Sequence, residues 1–126
     1  MPDLSFNQDN RNYFPTKYHG EISISKEKWR EICQEPERFY YRENADKIAT
    51  TLINPDMVQI NNNYKNQVIY YKYFETILYQ GKELNLVIKW WAVVVDFVTK
   101  KVCTVYPVHK PKKGTEYKNG GNLNEK

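Results

Sequence analysis

Apolar side chains dominate most densely from Leu84 to Phe97, a run of β-branched and aromatic residues without Pro or Gly, and again from Lys101 to Val108. At a period of two, Val93, Val95 and Phe97 point to one side of a sheet and Ala92, Val94 and Asp96 to the other. Both sides are largely apolar through the middle, which predicts a central strand covered on both faces. The run is too short, and too polar at its ends, to cross a bilayer as a helix of about 20 apolar residues. Val98-Thr99-Lys100-Lys101 is a polar link of hairpin length, so the stretch to Val108 is expected to return alongside.

Upstream the period changes. Glu21–Ser25 alternates as a short strand, and Ser25 suits the N-cap of a helix running through Gln34 with Trp29, Ile32 and Cys33 as its buried stripe. Glu35-Pro36 restarts a helix, because proline at the first helical position forfeits no hydrogen bond. This second helix is expected to reach about Ile53, with Tyr41, Ala45, Ile48 and Leu52 on one face. Asn54-Pro55-Asp56 ends it, since the residue before proline is pushed out of the helical region. Met57–Ile60 and Gln67–Phe74 read as strands joined by an Asn-rich turn, and residues 75–83 as a connection turning at Gln80-Gly81-Lys82. The expected fold is α+β, with two N-terminal helices packed on a four- to five-stranded antiparallel sheet. Residues 1–20 form an N-terminal arm that packs by Phe6, Tyr13, Phe14 and Tyr18 or stays loose. Residues 21–108 form a single α+β domain and 109–126 a basic C-terminal tail.

Composition narrows the chemistry. A chain of 126 residues supports one core. Its 11 tyrosines favour sheet structure and supply hydroxyls and flat faces. The formal charge is +4, and the tail holds five Lys against two Glu. That fits a polyanionic partner, or a solvated tail. Cys33 and Cys103 make no disulfide framework, and neither they nor His19 and His109 have metal-ligand spacing. The N-terminal residues lack a basic-then-apolar signal, so a reducing cytoplasm is expected; a polypeptide delivered by a larger carrier would look the same. No nucleophile motif, phosphate loop or cofactor signature occurs, and neither a cofactor nor a membrane is implied.

Cleaving RNA needs none of these. It needs a base for the ribose 2′-hydroxyl, an acid for the leaving oxygen and donors around the phosphate. The ordered phrases Ile22-Ser23-Ile24-Ser25, Thr51-Leu52-Ile53-Asn54-Pro55-Asp56, Tyr70-Tyr71-Lys72, Val93-Val94-Val95-Asp96-Phe97 and Val102-Cys103-Thr104-Val105-Tyr106 resemble the barnase–EndoU–colicin–RelE nuclease superfold, and its phage-borne branch in particular. The resemblance covers about residues 21–108. It implies a metal-independent ribonuclease, often a toxin, with its site on the sheet face and a cognate inhibitor protein made beside it. One phrase departs: the family's Arg-His-Pro at the helix junction is Gln34-Glu35-Pro36 here. Either Glu35 serves as the base, or the site is impaired and the domain only binds RNA or a protein.

On the catalytic reading Glu35, Lys72 and Thr104 carry the reaction, and Arg38, Arg42, Tyr70, Tyr106, His109 and Lys110 hold substrate. Each also has a plain structural role. Glu35 fits a helix cap, Lys72 a solvated strand position and Thr104 an ordinary strand residue. Arg38 and Arg42 fit a solvated helix face, and the tyrosines fit sheet packing. His109 and Lys110 open the tail.

Overall fold

The computed structural model describes residues 6–33, 45–61, 64–80, 83–108, 110–111 and 115–116. In chain order the elements are β1 (Arg11–Pro15), β2 (Glu21–Ser25), α1 (Lys26–Cys33), α2 (Asp46–Ile53), β3 (Met57–Ile60), β4 (Gln67–Gln80), β5 (Glu83–Asp96), β6 (Lys101–Val108) and the two-residue β7 (Thr115–Glu116). All seven strands join one sheet in the order β1-β2-β6-β5-β4-β3-β7. The densest apolar run has become β5, the middle strand, flanked by its hairpin partners β4 and β6. Its side chains divide as the alternation predicts. Val93 and Val95 enter the main core, and Ala92 and Val94 enter a smaller cluster on the opposite face.

The expected four- to five-stranded antiparallel sheet is corrected in two respects. The sheet is larger, with six strands of four residues or more and a short seventh, because part of the presumed arm is a strand. Tyr13 of β1 pairs with Ser23 of β2, and Phe14 with Ile22. Phe14 is buried, and Phe6 and Tyr18 pack against the core. The sheet is also mixed, since β2 meets β6 in parallel at Ser23 and Lys101. A parallel pair is closed by a long crossover, here the helices and three strands between, and so leaves no local mark in the sequence. The 75–80 segment is strand rather than connection: β4 runs on to Gln80 and pairs with β5 as far as Glu83.

The helices cover one face only, among the described residues. Ser25 caps α1 as expected, its Oγ accepting from the Lys28 N–H at 3.0 Å, and Trp29, Ile32 and Cys33 are buried. In α2, Ile48 and Leu52 face inward with Ala45 just before it, and the Asn54 N–H closes the last turn on the Thr50 carbonyl at 2.9 Å; the expected helix start at Pro36, and Tyr41, lie outside the described residues. Both helices meet Ile22, Ile24, Val68, Tyr70, Trp91, Val93, Val95 and Val105 in one core. Each such aliphatic side chain contributes about 1.5–3 kcal/mol when fully buried. No helix among the described residues is long and apolar enough to cross a membrane.

Candidate functional site

The positions read from the sequence as one site are divided by the sheet. Tyr70 pairs with Val93, and Lys72 with Trp91. Val93 and Trp91 belong to the core beneath the helices, so Tyr70 and Lys72 lie on the helix-covered face. Thr104 pairs with Val94, and Tyr106 with Ala92. Val94 and Ala92 belong to the opposite cluster, so Thr104 and Tyr106 lie on the other face. The sheet therefore brings Tyr70 and Lys72 together, and Thr104 and Tyr106 together, but keeps the two pairs apart. Glu35, Arg38, Arg42 and His109 lie outside the described residues, and Lys110 is exposed beyond the end of β6.

On the helix-covered face the two groups are already engaged. The Lys72 ammonium sits 3.6 Å from Oδ1 of Asp56, whose Oδ2 accepts the Tyr73 N–H at 2.8 Å. Tyr70 is fully buried, and its hydroxyl lies 2.5 Å from Nδ1 of His19. The same hydroxyl accepts the Tyr18 N–H at 3.3 Å. His19 stacks on Phe97 with ring centres 5.4 Å apart, and Lys100 donates to the His19 carbonyl at 2.8 Å. Burial, with the Lys100 charge adding to it, holds the His19 pKa down at about 4 instead of 6.5. The pair fastens the loop between β1 and β2 onto β4. Fifty-one residues separate its members, and no local pattern in the sequence marks them as partners.

The other face is built differently. Its centre is Ile69, Tyr71, Ala92 and Val94, all buried, and Met57, Trp90, Cys103, Tyr106 and Val108 pack around them half-buried. No described helix contributes to this cluster. Tyr73 alternates with the core-facing Lys72 and so lies on this face, 45% exposed, its ring edge-on to Trp90 with centres 5.4 Å apart. Burial raises the Tyr106 phenol above its ordinary pKa, and the neighbouring Tyr71 phenol, hydrogen-bonded to it, adds to the shift. Burial also raises the Cys103 thiol, and the Asp96 carboxylate reinforces this. Cys103 accepts from the Gln67 amide at 3.5 Å. These neutral groups suit contact with flat, partly polar ring systems better than proton transfer near neutral pH.

The same face continues across the sheet to β2 and β1. Ser23 lies between Ile22 and Ile24, both core residues, and so turns away from the core. Arg11 joins it there by donating from Nη1 to the Ser23 hydroxyl at 3.0 Å, and Tyr13, opposite Ser23, is 39% exposed. Lys101 pairs with Asp96 at the β5–β6 turn and is exposed. The aromatic cluster of Tyr73, Trp90 and Tyr106 thus lies toward one end of this face, and Arg11 and Lys101, with Tyr13 beside them, toward the other. Among the described residues no group of three or more His, Cys, Asp or Glu side chains stands ready for a metal ion. Compared with protein-family models, with curated proteins and with solved structures, the chain matches none.

Proposed function

We propose that the protein is a single-stranded RNA-binding module that receives bases on the face of its sheet opposite the described helices. One observation carries the reading: Tyr73, Trp90 and Tyr106 share that face, with Tyr73 well exposed beside Trp90. Aromatic rings on an open sheet stack on unpaired bases, and each stacked base is worth about 1–3 kcal/mol with little regard to sequence. The formal charge of +4 and the cations at the other end of the face supply attraction for the phosphates. Binding is favoured over cleavage because Lys72 and Thr104, two of the three groups the ribonuclease reading needs at one phosphodiester, face opposite ways.

The test is fluorescence anisotropy with a labelled oligouridylate, an RNA duplex of equal length as competitor, and gel analysis of the recovered strand with and without chelator. The expected result is preference for the single strand, affinity that drops steeply with salt, and intact RNA. Absence of binding at low salt, or equal affinity for the duplex, overturns the proposal. Chelator-resistant cleavage would instead favour the toxin-like ribonuclease, and with it a cognate inhibitor protein.

A further inference from the structure

At the corner where β1 and β2 end and α1 begins, a cleft of about 500 Å³ is lined by Asp9, Asn10, Arg11, Ser25, Lys26, Glu27 and Arg30. Three cations meet two carboxylates there, yet none of the three is in an ion pair among the described residues. Asp9 is occupied by its own turn. Oδ1 accepts the Arg11 N–H at 3.1 Å, and Oδ2 accepts the Tyr13 hydroxyl. Arg11, which lines the cleft, is held by the bond from its Nη1 to the Ser23 hydroxyl, and its planar fork has further donors beyond that one. The Lys26 N–H bonds the Asn10 carbonyl at 2.9 Å, which ties the turn before β1 to the start of α1 and fixes the distance between Arg11 and Lys26. Lys26 and Arg30 stand one helical turn apart on α1, both exposed.

We infer that this cleft is a phosphate-binding site, the place where the sugar–phosphate backbone of a bound single strand is gripped. Three cations against the carboxylates of Asp9 and Glu27 leave the lining with a net charge of +1, and they offer a phosphodiester a planar guanidinium for two oxygens and ammonium charge for the rest. The location agrees with the base platform. A line drawn from Tyr73 and Trp90 through Tyr106 and Thr104 to Ser23 and Arg11 crosses β4, β5, β6, β2 and β1 in turn. Strand spacing and rise make that diagonal on the order of 25 Å, room for a short run of nucleotides. As the backbone end of that path the cleft rests on the RNA-binding reading; as an anion site it stands without it.

The two are separated by using a probe that has no bases. In a titration of ¹⁵N-labelled protein with inorganic polyphosphate, the amides of Asn10, Arg11, Lys26, Glu27 and Arg30 and the Arg side-chain N–H signals are expected to shift together. The double variant Lys26→Gln, Arg30→Gln should abolish those shifts, and Tyr73→Ala should leave them intact. With oligouridylate, the same double variant should reduce the slope of log affinity against log salt by about 1.4, at about 0.7 per lost phosphate contact, and Tyr73→Ala should weaken binding at constant slope. Polyphosphate that shifts no signal in the cleft, or shifts only Lys100, Lys101 and the tail, overturns the inference. Shifts in the cleft without oligouridylate binding would leave the anion site standing and overturn the RNA reading. Lys26 and Arg30 are exposed side chains of α1, so the double variant is expected to keep the wild-type spectrum elsewhere.

Discussion

Mild acid should loosen this fold through His19, and the size of the effect can be worked out. His19 is 9% exposed, stacked on Phe97 and bonded through Nδ1 to the Tyr70 hydroxyl, with the Lys100 ammonium on its own carbonyl. Its pKa in the fold is about 4, against an ordinary 6.5. The unfolded chain therefore binds the proton more readily across that window, so stability is full above 6.5 and is lost as pH falls toward 4. The full difference is on the order of 3 kcal/mol, and about 2 kcal/mol of it is lost between about pH 7.5 and about pH 5. The comparison is wild type against His19→Asn, whose side-chain amide takes the place of Nδ1 toward the Tyr70 hydroxyl and does not titrate. Urea unfolding followed by tryptophan fluorescence at the two pH values gives four free energies. The wild type should lose about 2 kcal/mol more than the variant on acidification. His109 is present in both proteins and cancels. Equal pH dependence of the two proteins would refute the argument, because it would mean that His19 titrates alike in the folded and unfolded chains.

Three further outcomes are expected. Tyr73→Ala should weaken oligouridylate binding by about 1–3 kcal/mol in an anisotropy titration, while the loss of its edge-on contact with Trp90 should cost about 0.5–1.5 kcal/mol in urea unfolding and leave the protein folded. Lys72→Met should leave that affinity and its salt slope unchanged, because the ammonium faces the helix side and is paired with Asp56; the loss of this partly exposed ion pair should cost on the order of 1 kcal/mol in urea unfolding. A salt slope lowered by Lys72→Met would place the lysine at the phosphate after all. Ser25→Ala removes the cap of α1 and should cost about 1 kcal/mol of stability in the same assay.

What the sequence made legible was local. The alternation in β5, the cap at Ser25, the buried stripe of α1 and the stop at Asn54-Pro55 each depend on residues within a turn or two of one another, and each is found in the fold. What it hid was long-range. β1 looked like an arm because Arg11-Asn12-Tyr13-Phe14-Pro15 shows no clean alternation, and its partner strand begins only after the loop at Thr16–Gly20. The parallel contact of β2 with β6 joins residues 78 positions apart. The His19–Tyr70 pair is likewise a product of the finished sheet, where the loop folds back over β4.

The division of the candidate site has a cause that one residue can illustrate. Counted strictly by twos along β6, Val102, Thr104 and Tyr106 would share a face, and Val102 is a core residue on the helix side. The ladder between β5 and β6 slips between Val94 and Val95: Val95 pairs with Val102, but Val94 pairs with Thr104, leaving one extra residue on β6. Such a bulge reverses the facing of everything beyond it. It sends Val105 into the core in place of Thr104, and turns Thr104 and Tyr106 to the side opposite the described helices. Without the slip Tyr106 would lie among the buried residues under the helices, and the aromatic end of the opposite face would lose one of its three rings. The bulge that separates Thr104 from Lys72 is thus the same feature that assembles Tyr106, Trp90 and Tyr73 into one surface.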